Sequence, residues 1–255
     1  MAKKPRPPVA SSPKPSPADD DGNQIHNQIL LSLPLKERES LFPKLEFVRL
    51  KTHHVLHEPG DTLKSAYFCN SGLVSILSVF SNGKSVEVGL VGKEGFVGLP
   101  LVAGFRTAPT RALAQIEATA FRVDGEALRV VLRDCPSLER QLHQFSQIMA
   151  MEVTQIAACN RLHEMDERLA RWLLMSADRI GSSSVPLTQE FLAQMLGTRR
   201  STVTVAAGML EKAGLIVHSR GAVEIIHRQK LEEASCECYG FMQRQIKAWQ
   251  GDAER

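Results

Sequence analysis

The chain has 255 residues, and 43% of them are hydrophobic, which suffices for one large domain or two modest ones. No apolar run approaches the roughly 18 residues that a membrane-spanning helix needs, so no membrane association is expected. The net charge of +3 is weak, and the five cysteines are scattered and odd in number, which favours free thiols in a reducing cytoplasm over a disulfide framework.

Residues 1–23 are rich in Pro, Ser, Lys and Asp and are predicted to form a disordered tail. This segment has no apolar stretch of the kind found in secretory signals. Between Ile25 and Leu45 the pattern predicts one or two short helices, with Pro34 and Pro43 as breaks.

A β-domain of the jelly-roll kind is predicted within residues 24–135. Short apolar or alternating runs such as "SAYFC", "LVSILSVF" and "SVEVGLV" are separated by turn signals such as "EPGD" and "NSG". Asn82 and Gly83 stand between two of these runs and predict a hairpin with a type I′ turn, in which both residues need a positive φ. Further strands are expected in residues 110–123.

A long helix is predicted from Ser137 to about Ile180, after a short helix at residues 124–134. Apolar residues recur every seven positions along it, which allows packing either on its own domain or on a second copy of the chain. Because the helix lies between a β-domain and a separate C-terminal module, the second arrangement is favoured. Residues 136–180 are therefore expected to form a dimerisation helix and hinge, with a seam made by Leu142, Phe145, Met149 and Ile156.

Residues 181–255 are predicted to form a winged helix-turn-helix with a C-terminal helical extension. The stretch "LTQEFLAQMLGTRRSTVTVAAGMLEKAGLI" contains two helical patterns, the first capped by Thr188 and the second by Thr198. Ala193, Gly197 and Val203 have the small, glycine and apolar character that two steeply crossing helices need at their turn. The following "LIVHSRGAVEII" predicts a two-stranded wing.

The start of the second helix is suited to an anionic partner. Between residues 185 and 230, six Lys or Arg residues stand against three acids, a local excess of basic charge. The N-terminus of a helix offers free N–H groups and a positive dipole end, and arginine there can bind guanine edges with two hydrogen bonds. The pattern favours a DNA-binding surface over an ordinary solvated helix pair.

The order of β-roll, long helix and winged helix-turn-helix resembles the Crp/Fnr family of bacterial transcription regulators over about residues 25–240. The long C-terminal motif and the β-domain stretch "EPGD…YFCNSGLVSIL" carry the resemblance. It implies a homodimer that binds double-stranded promoter DNA and recruits or blocks RNA polymerase.

The resemblance also implies roles for single residues. The base-reading face would comprise Arg200, Ser201, Thr204 and Val205. Many members have Glu at the position of Ser201 and Arg at that of Val205, so a different half-site preference is expected. Candidates for phosphate contacts are Thr188, Gln189, Arg199, Thr202 and Arg220.

The residues expected to bind cyclic nucleotide are largely missing. Gly98 matches the family's glycine-glutamate pair, but Leu99 stands where the glutamate is expected, and Ala108-Pro109 stands roughly where an Arg-Ser pair is expected. Arg106 or Arg111 could still pair with an anion if the alignment slips. Cyclic AMP binding is therefore not expected, and the β-roll is assigned an unknown small-molecule effector or none.

No metal or cofactor site is expected from the sequence. The N-terminal tail has no cysteines for an iron–sulfur cluster. Cys236 and Cys238, if on a helix, would point away from each other and are interpreted as ordinary thiols. On a strand, His53 and His57 would share one face, with His54 on the other, and they are interpreted as surface or edge histidines.

The sequence therefore predicts an α+β protein with an N-terminal jelly-roll β-domain, a long central dimerisation helix and a C-terminal winged helix-turn-helix. Its expected function is that of a homodimeric, cytoplasmic, sequence-specific transcription regulator and not an enzyme. The alternative from another class is a small-molecule-binding or metal-dependent β-roll enzyme of the cupin type with an accessory helical domain.

Overall fold

A computed structural model of the chain describes residues 22–219 and 221–253. The predicted tail lies almost wholly outside these residues. Two short helices, α1 (Gln28–Ser32) and α2 (Leu35–Leu41), and a 3-10 turn precede the first strand, as the proline breaks predicted. No helix among the described residues is long and apolar enough to cross a membrane.

The N-terminal β-roll is one antiparallel sheet of six strands. The strands are β1 (Leu45–Leu50), β2 (Val55–His57), β3 (Ser65–Val79), β4 (Ser85–Val91), β5 (Phe96–Val97) and β6 (Arg111–Asp124). The central order is β1-β6-β3-β4, with β2 paired to β6 and β5 paired to β3. The short helix α3 (Leu99–Val102) lies between β5 and β6, and α4 (Gly125–Asp134) follows, with Asp124 as its cap.

Strand β3 is continuous through the "NSG" segment, which was expected to be a turn. The pairing of β3 with β6 shifts register between Cys69 and Val74, so the segment forms a β-bulge. Gly72 has a φ of 75°, and a Cβ there would lie 2.3 Å from the carbonyl oxygen of Glu117. Glycine is therefore required where the two strands approach most closely.

The hairpin between β3 and β4 is present, but its turn is not of type I′. Gly83 has a positive φ, whereas Asn82 does not, since His53 is the one non-glycine residue with positive φ among those described. The Asn82 side chain instead accepts a hydrogen bond from the Lys84 N–H at 3.0 Å. An asparagine that caps its own turn in this way removes the need for a positive φ.

The predicted long helix is wrong in one respect, because it is two helices. Helix α5 (Pro136–Leu162) ends at His163, and α6 (Met165–Ile180) begins after Glu164. The Glu164 side chain accepts from the backbone of Glu167, and the Glu167 carboxylate accepts from the Glu164 N–H at 3.1 Å. This capping box starts a new helix and allows a change of direction at His163.

The predicted dimer seam is also wrong, because its residues are buried within the single chain. Leu142, Phe145 and Met149 belong to the core of the β-roll, and Ile156 is 9% exposed. The ring of Phe145 fills the space over Gly95, and the Met149 methyl fills the space over Gly89. The heptad pattern thus records packing on the chain's own domain. The opposite face of α5 is exposed, and it includes His143, Ala150, Val153 and Ala157.

The C-terminal module comprises a three-stranded sheet and four helices. Strands β7 (Ser184–Pro186), β8 (Ile216–Ser219) and β9 (Ala222–Ile225) are ordered β7-β9-β8. Helices α7 (Gln189–Met195) and α8 (Arg200–Lys212) precede β8, and α9 (Arg228–Ala234) and α10 (Cys238–Ala253) follow β9. The predicted wing is present, and β7 adds a third strand to it.

One hydrophobic core joins the β-roll to the C-terminal module. Leu73, Leu77 and Leu90 of the β-roll pack in the same cluster as the buried residues of α6, α7 and α8. At the junction, Trp172 of α6 donates its ring N–H to the Glu87 carboxylate of β4 at 2.6 Å. Ser75 of β3 donates to the same carboxylate at 2.7 Å. Burial raises the pKa of Glu87 to about 7, although both hydrogen bonds oppose the shift.

A pH dependence of stability follows from this carboxyl group. Because its pKa is raised in the folded state, the unfolded chain loses this proton first, and stability falls as the pH rises from about 4.5 to 7. We expect the difference in unfolding free energy between the wild type and Glu87→Gln to change by on the order of 3 kcal/mol over this range, at about 1.4 kcal/mol per pH unit. Urea unfolding of both proteins at several pH values measures this difference in unfolding free energy. A difference that does not change with pH would contradict the assignment.

Candidate DNA-binding surface and sensor sites

The two helices of the C-terminal module form the predicted helix-turn-helix. The Thr188 hydroxyl accepts from the Phe191 N–H at 3.3 Å and caps α7. Gly197 has a φ of 63° and ends that helix in the left-handed conformation. A Cβ at Gly197 would also lie 2.9 Å from a methyl of Val86, so this turn sits against β4 of the β-roll. The turn is thereby fixed by backbone geometry and by packing.

The start of α8 differs from the expected one by one residue. The N-cap is Arg199, whose side chain makes no capping hydrogen bond, and not Thr198. The Thr198 N–H donates to the Ala193 carbonyl at 2.9 Å and so belongs to the end of α7. With Arg199 at the cap, the first turn of α8 keeps N–H groups that no side-chain cap satisfies.

The structure leaves all four predicted base-reading residues exposed on α8. The Arg200 guanidinium lies 3.8 Å from the Glu190 carboxylate, and both side chains are more than half exposed. The Thr204 hydroxyl can donate to the Arg200 carbonyl within α8 or to the Gln189 side chain at 2.9 Å. The second bond links α8 to α7. Val205 is a large apolar side chain that is 66% exposed.

Four of the five predicted phosphate contacts flank this face. Thr188, Arg199 and Thr202 are exposed, and Gln189 is half-buried beside Thr204. Arg220 lies outside the described residues, between the two strands of the wing. The surface thus offers hydroxyl, guanidinium and methyl groups on a protruding helix beside a β-hairpin. This arrangement can bind phosphates and read base edges in a major groove.

The structure places a carboxylate beside each arginine of the predicted effector set. Arg106 pairs with Glu126 at 2.8 Å on the surface, and Arg111 pairs with Glu58 at 2.8 Å. Leu99 packs against the β-roll core. Gly98, with a φ of 122°, precedes α3.

A separate cavity lies between α1, α5, α6 and α10. Its volume is about 930 Å³, and none of the four predicted effector residues lines it. Its charged lining residues are Glu94, Glu152 and Arg179, and Arg179 binds Glu152 at 2.8 Å and Glu94 at 3.1 Å. This cavity is thus separate from the residues that match the cyclic-nucleotide pattern.

The three histidines near β2 do not form the metal site of a cupin enzyme. His53 lies in a turn with a φ of 67°, and not on a strand face with His57. Its ring is 5.6 Å from the ring of Phe191 in α7. Burial lowers the pKa of His57, which is half-buried in β2. Within residues 22–219 and 221–253, these histidines are not among the side chains that converge as potential metal ligands.

Three cysteines and a histidine converge at another place, which the sequence interpretation missed. Cys236 precedes α10, and Cys238 is its first residue, so the expectation that they diverge on one helix is wrong. Cys159 and His163 lie one helical turn apart at the end of α5. The four potential ligand atoms all lie within 4.8 Å of one another. The sequence did contain a signal for this group. Cys159 and His163 form a Cys-x3-His pattern on a predicted helix, and Cys236 and Cys238 form a Cys-x-Cys pattern.

The thiols of this group influence each other's protonation. The hydrogen bond from Cys236, whose Sγ is 3.4 Å away, lowers the pKa of Cys159. The same bond raises the pKa of Cys236, and burial raises the pKa of Cys238. The Arg171 cation further lowers the pKa of Cys159. One of the three thiols is therefore the preferred site of negative charge.

Comparison with known proteins agrees with this architecture. A cyclic nucleotide-binding domain model matches residues 47–135, and a Crp-like helix-turn-helix domain model matches residues 167–234. The global nitrogen regulator of Synechococcus elongatus is 26% identical over 199 residues, which cover 74% of this chain and 87% of that protein. A CRP-like cAMP-activated global transcriptional regulator of Mycobacterium tuberculosis is 27% identical over 181 residues, covering 68% of this chain and 79% of that protein.

The fold is also found among solved structures. A putative transcriptional regulator of the Crp/Fnr family from Eubacterium rectale has a TM-score of 0.65 at 16% identity, covering 82% of this chain and 98% of that one. The two domain matches fall in the β-roll and in the helix-turn-helix, in the order that the sequence pattern predicted. The chain therefore belongs to the Crp/Fnr family of transcription regulators.

Proposed function

We propose that the chain acts as a homodimer in the cytoplasm, where the α8 helix of each protomer enters the major groove of promoter DNA. The observation that supports this most directly is the exposed first turn of α8, which carries Arg199 and Arg200. Two such helices in a symmetric dimer would bind half-sites one duplex turn apart, about 34 Å. Contact with RNA polymerase would then follow from binding near promoters.

Arg200 is assigned to base reading and Arg199 to the phosphate backbone. Arg200 is the first residue of α8, and its guanidinium forms an exposed pair with Glu190 at 3.8 Å. An exposed pair of this kind is worth little and can exchange for guanine. Arg199 precedes the helix by one residue, and we assign it to the phosphates that flank the groove.

The dimer would form along the outer face of α5 and not along the buried seam. Ala150, Val153 and Ala157 are exposed at spacings of three and four residues, so they follow one helix face. Small side chains there allow two α5 helices to approach closely. Met149, on the other hand, belongs to the β-roll core, and replacing it with a charged residue would destabilise the fold before it affected the dimer.

The β-roll is assigned an effector other than cyclic AMP, or none. A cyclic nucleotide needs a carboxylate for its ribose and a free guanidinium for its phosphate, as the family's binders supply. Leu99 cannot provide the carboxylate, and Arg106 and Arg111 are paired with Glu126 and Glu58. The cAMP-activated regulator from M. tuberculosis is thus not a guide to the effector of this chain.

Substitution of the two arginines should separate their roles. Arg200→Ala should weaken the preferred DNA site and flatten the preference at one base pair per half-site, by roughly 1–3 kcal/mol. Arg199→Ala should weaken specific and scrambled DNA alike and lower the salt slope by about one. Titrations of both DNAs at several salt concentrations measure this. Equal loss on both DNAs for Arg200→Ala would refute base reading by this residue.

A matched pair of valines tests the dimer face. Val153→Glu should convert the dimer to a monomer, because it places a charge in the seam, and half-site cooperativity on DNA should be lost. Val130→Glu in α4 is the control, since Val130 is also exposed, at 51%, but lies off the seam. Sedimentation at micromolar concentration distinguishes the two. A wild-type monomer, or a dimeric Val153→Glu variant with intact cooperativity, would show that the face is misassigned.

Cyclic AMP should leave the protein unchanged. A ligand at 100 times its dissociation constant stabilises a native protein by about 2.7 kcal/mol, which is visible as a rise in melting temperature. We expect no rise with millimolar cyclic AMP and no change in DNA affinity. A saturable rise in melting temperature would refute the assignment of the β-roll to an effector other than cyclic AMP.

A further inference from the structure

We propose that Cys159, His163, Cys236 and Cys238 bind one zinc ion as a tetrahedral Cys3His site. Cys159 and His163 come from the last turn of α5 and the break after it, while Cys236 and Cys238 come from the connection between α9 and α10. The four residues approach from two parts of the chain more than 70 positions apart. This inference is independent of how the protein binds DNA.

The distances fit a single ion. The Sγ atoms of Cys159 and Cys236 are 3.4 Å apart, and the Sγ of Cys238 is 3.5 Å from Nδ1 of His163. Zn–S bonds of about 2.3 Å and Zn–N bonds of about 2.0–2.1 Å, arranged tetrahedrally, separate the ligand atoms by roughly 3.5–3.8 Å. Small movements of the four side chains would therefore complete the coordination.

Core packing, a disulfide and an iron–sulfur cluster each account for this group less well than zinc does. The cysteines are not ordinary core residues, because they form a buried cluster of their own, separate from the three apolar cores. A disulfide between Cys159 and Cys236 would require the Sγ atoms to close to about 2.05 Å and would leave Cys238 and His163 unused. An iron–sulfur cluster binds its ligands to different iron atoms, which spreads them more widely than the 4.8 Å observed.

The surroundings supply what a thiolate site needs. Gln155 donates its side-chain N–H to the Sγ of Cys238 at 3.1 Å, an outer-shell bond of the kind that orients metal ligands. Cys238 is the first residue of α10, where the helix dipole favours a thiolate. Binding of Zn²⁺ releases three thiol protons, and the complex with neutral His163 carries one negative charge.

A buried arginine accounts for that charge. Arg171 is 3% exposed, and among the described residues it forms no ion pair. Its one hydrogen bond goes to the sulfur of Met175 at 3.2 Å, and its Nε has no partner. A buried guanidinium is costly without a counter-charge, and Glu87 acts on Arg171 only through space, without a direct ion pair. An anionic zinc–thiolate centre near Arg171 would add a second counter-charge.

The site would hold the C-terminal extension against the hinge. Zinc would link the end of α5, the break at His163 and the start of α10 through one ion. Arg168, on the first turns of α6, donates to the Leu196 carbonyl at 2.8 Å, where α7 ends. The ion would therefore fix the break at His163, where α6 begins. The position of the helix-turn-helix relative to α5 depends on this segment.

Metal titration of the full-length protein tests the proposal. The protein, reduced and stripped by a chelator, should bind one equivalent of Zn²⁺ per chain and show a higher melting temperature. Co²⁺ in place of zinc should give the visible absorption of a tetrahedral thiolate site. Cys238→Ser should lower zinc affinity by more than about 100-fold, since loss of an outer-shell partner alone costs about 10–100-fold.

Cys135→Ala is the control, because Cys135 is a buried thiol at the start of α5, in the β-roll core and outside this cluster. It should bind zinc like the wild type. The wild-type measurements stand even if Cys238→Ser fails to fold. Failure of the wild type to bind zinc, equal binding by a folded Cys238→Ser variant, iron with sulfide in protein purified without oxygen, or a Cys159–Cys236 disulfide under reducing conditions would each overturn the proposal.

Discussion

Burial of α6 on all sides is the constraint on which the rest of the structure depends. Nine consecutive residues of this helix, from Leu169 to Ala177, are buried. A helix that is buried all round must have partners on every face. The β-roll covers one side through Leu90 and Glu87, and α8 and α9 cover the other. The sensor and DNA-binding parts consequently share one core, and neither can shift far without exposing apolar surface of α6.

This constraint explains why the DNA-binding face is free. Because Val203, Ala206 and Leu210 of α8 face α6, the opposite side of α8 must face solvent. The glycine turn at residue 197 rests on β4, so the first turn of α8 starts at a fixed place. Arg200 and Val205 protrude as a result of packing elsewhere in the chain. Their exposure is useful for DNA recognition, but its cause is the packing of the opposite face of α8 on α6.

Sequence patterns predicted those features that depend on neighbouring residues. The helix-turn-helix, its cap at Thr188 and the position of the β3–β4 hairpin are of this kind. The seam of Leu142 and Met149 was misassigned because periodicity shows that a helix face is buried and not what covers it. The break at Glu164 was missed because glutamate is an uncommon cap. Cys159 and Cys236 are 77 positions apart, and their contact depends on the packing of α10 along α5.

Three arginines of α6 connect the functional parts through different partners. Arg179 binds Glu152 of α5 and Glu94 of the β-roll, and Arg168 binds the end of α7. Arg171, between them, faces the proposed metal centre. Each buried cation requires its partner to stay in place, since an unpaired buried charge is expensive. A change in the cavity beside Arg179, or in the ligands beside Arg171, would therefore act on the same rigid helix. Any movement of the β-roll relative to the helix-turn-helix would then have to carry α6 as a unit, since packed interfaces switch between discrete arrangements and do not deform continuously.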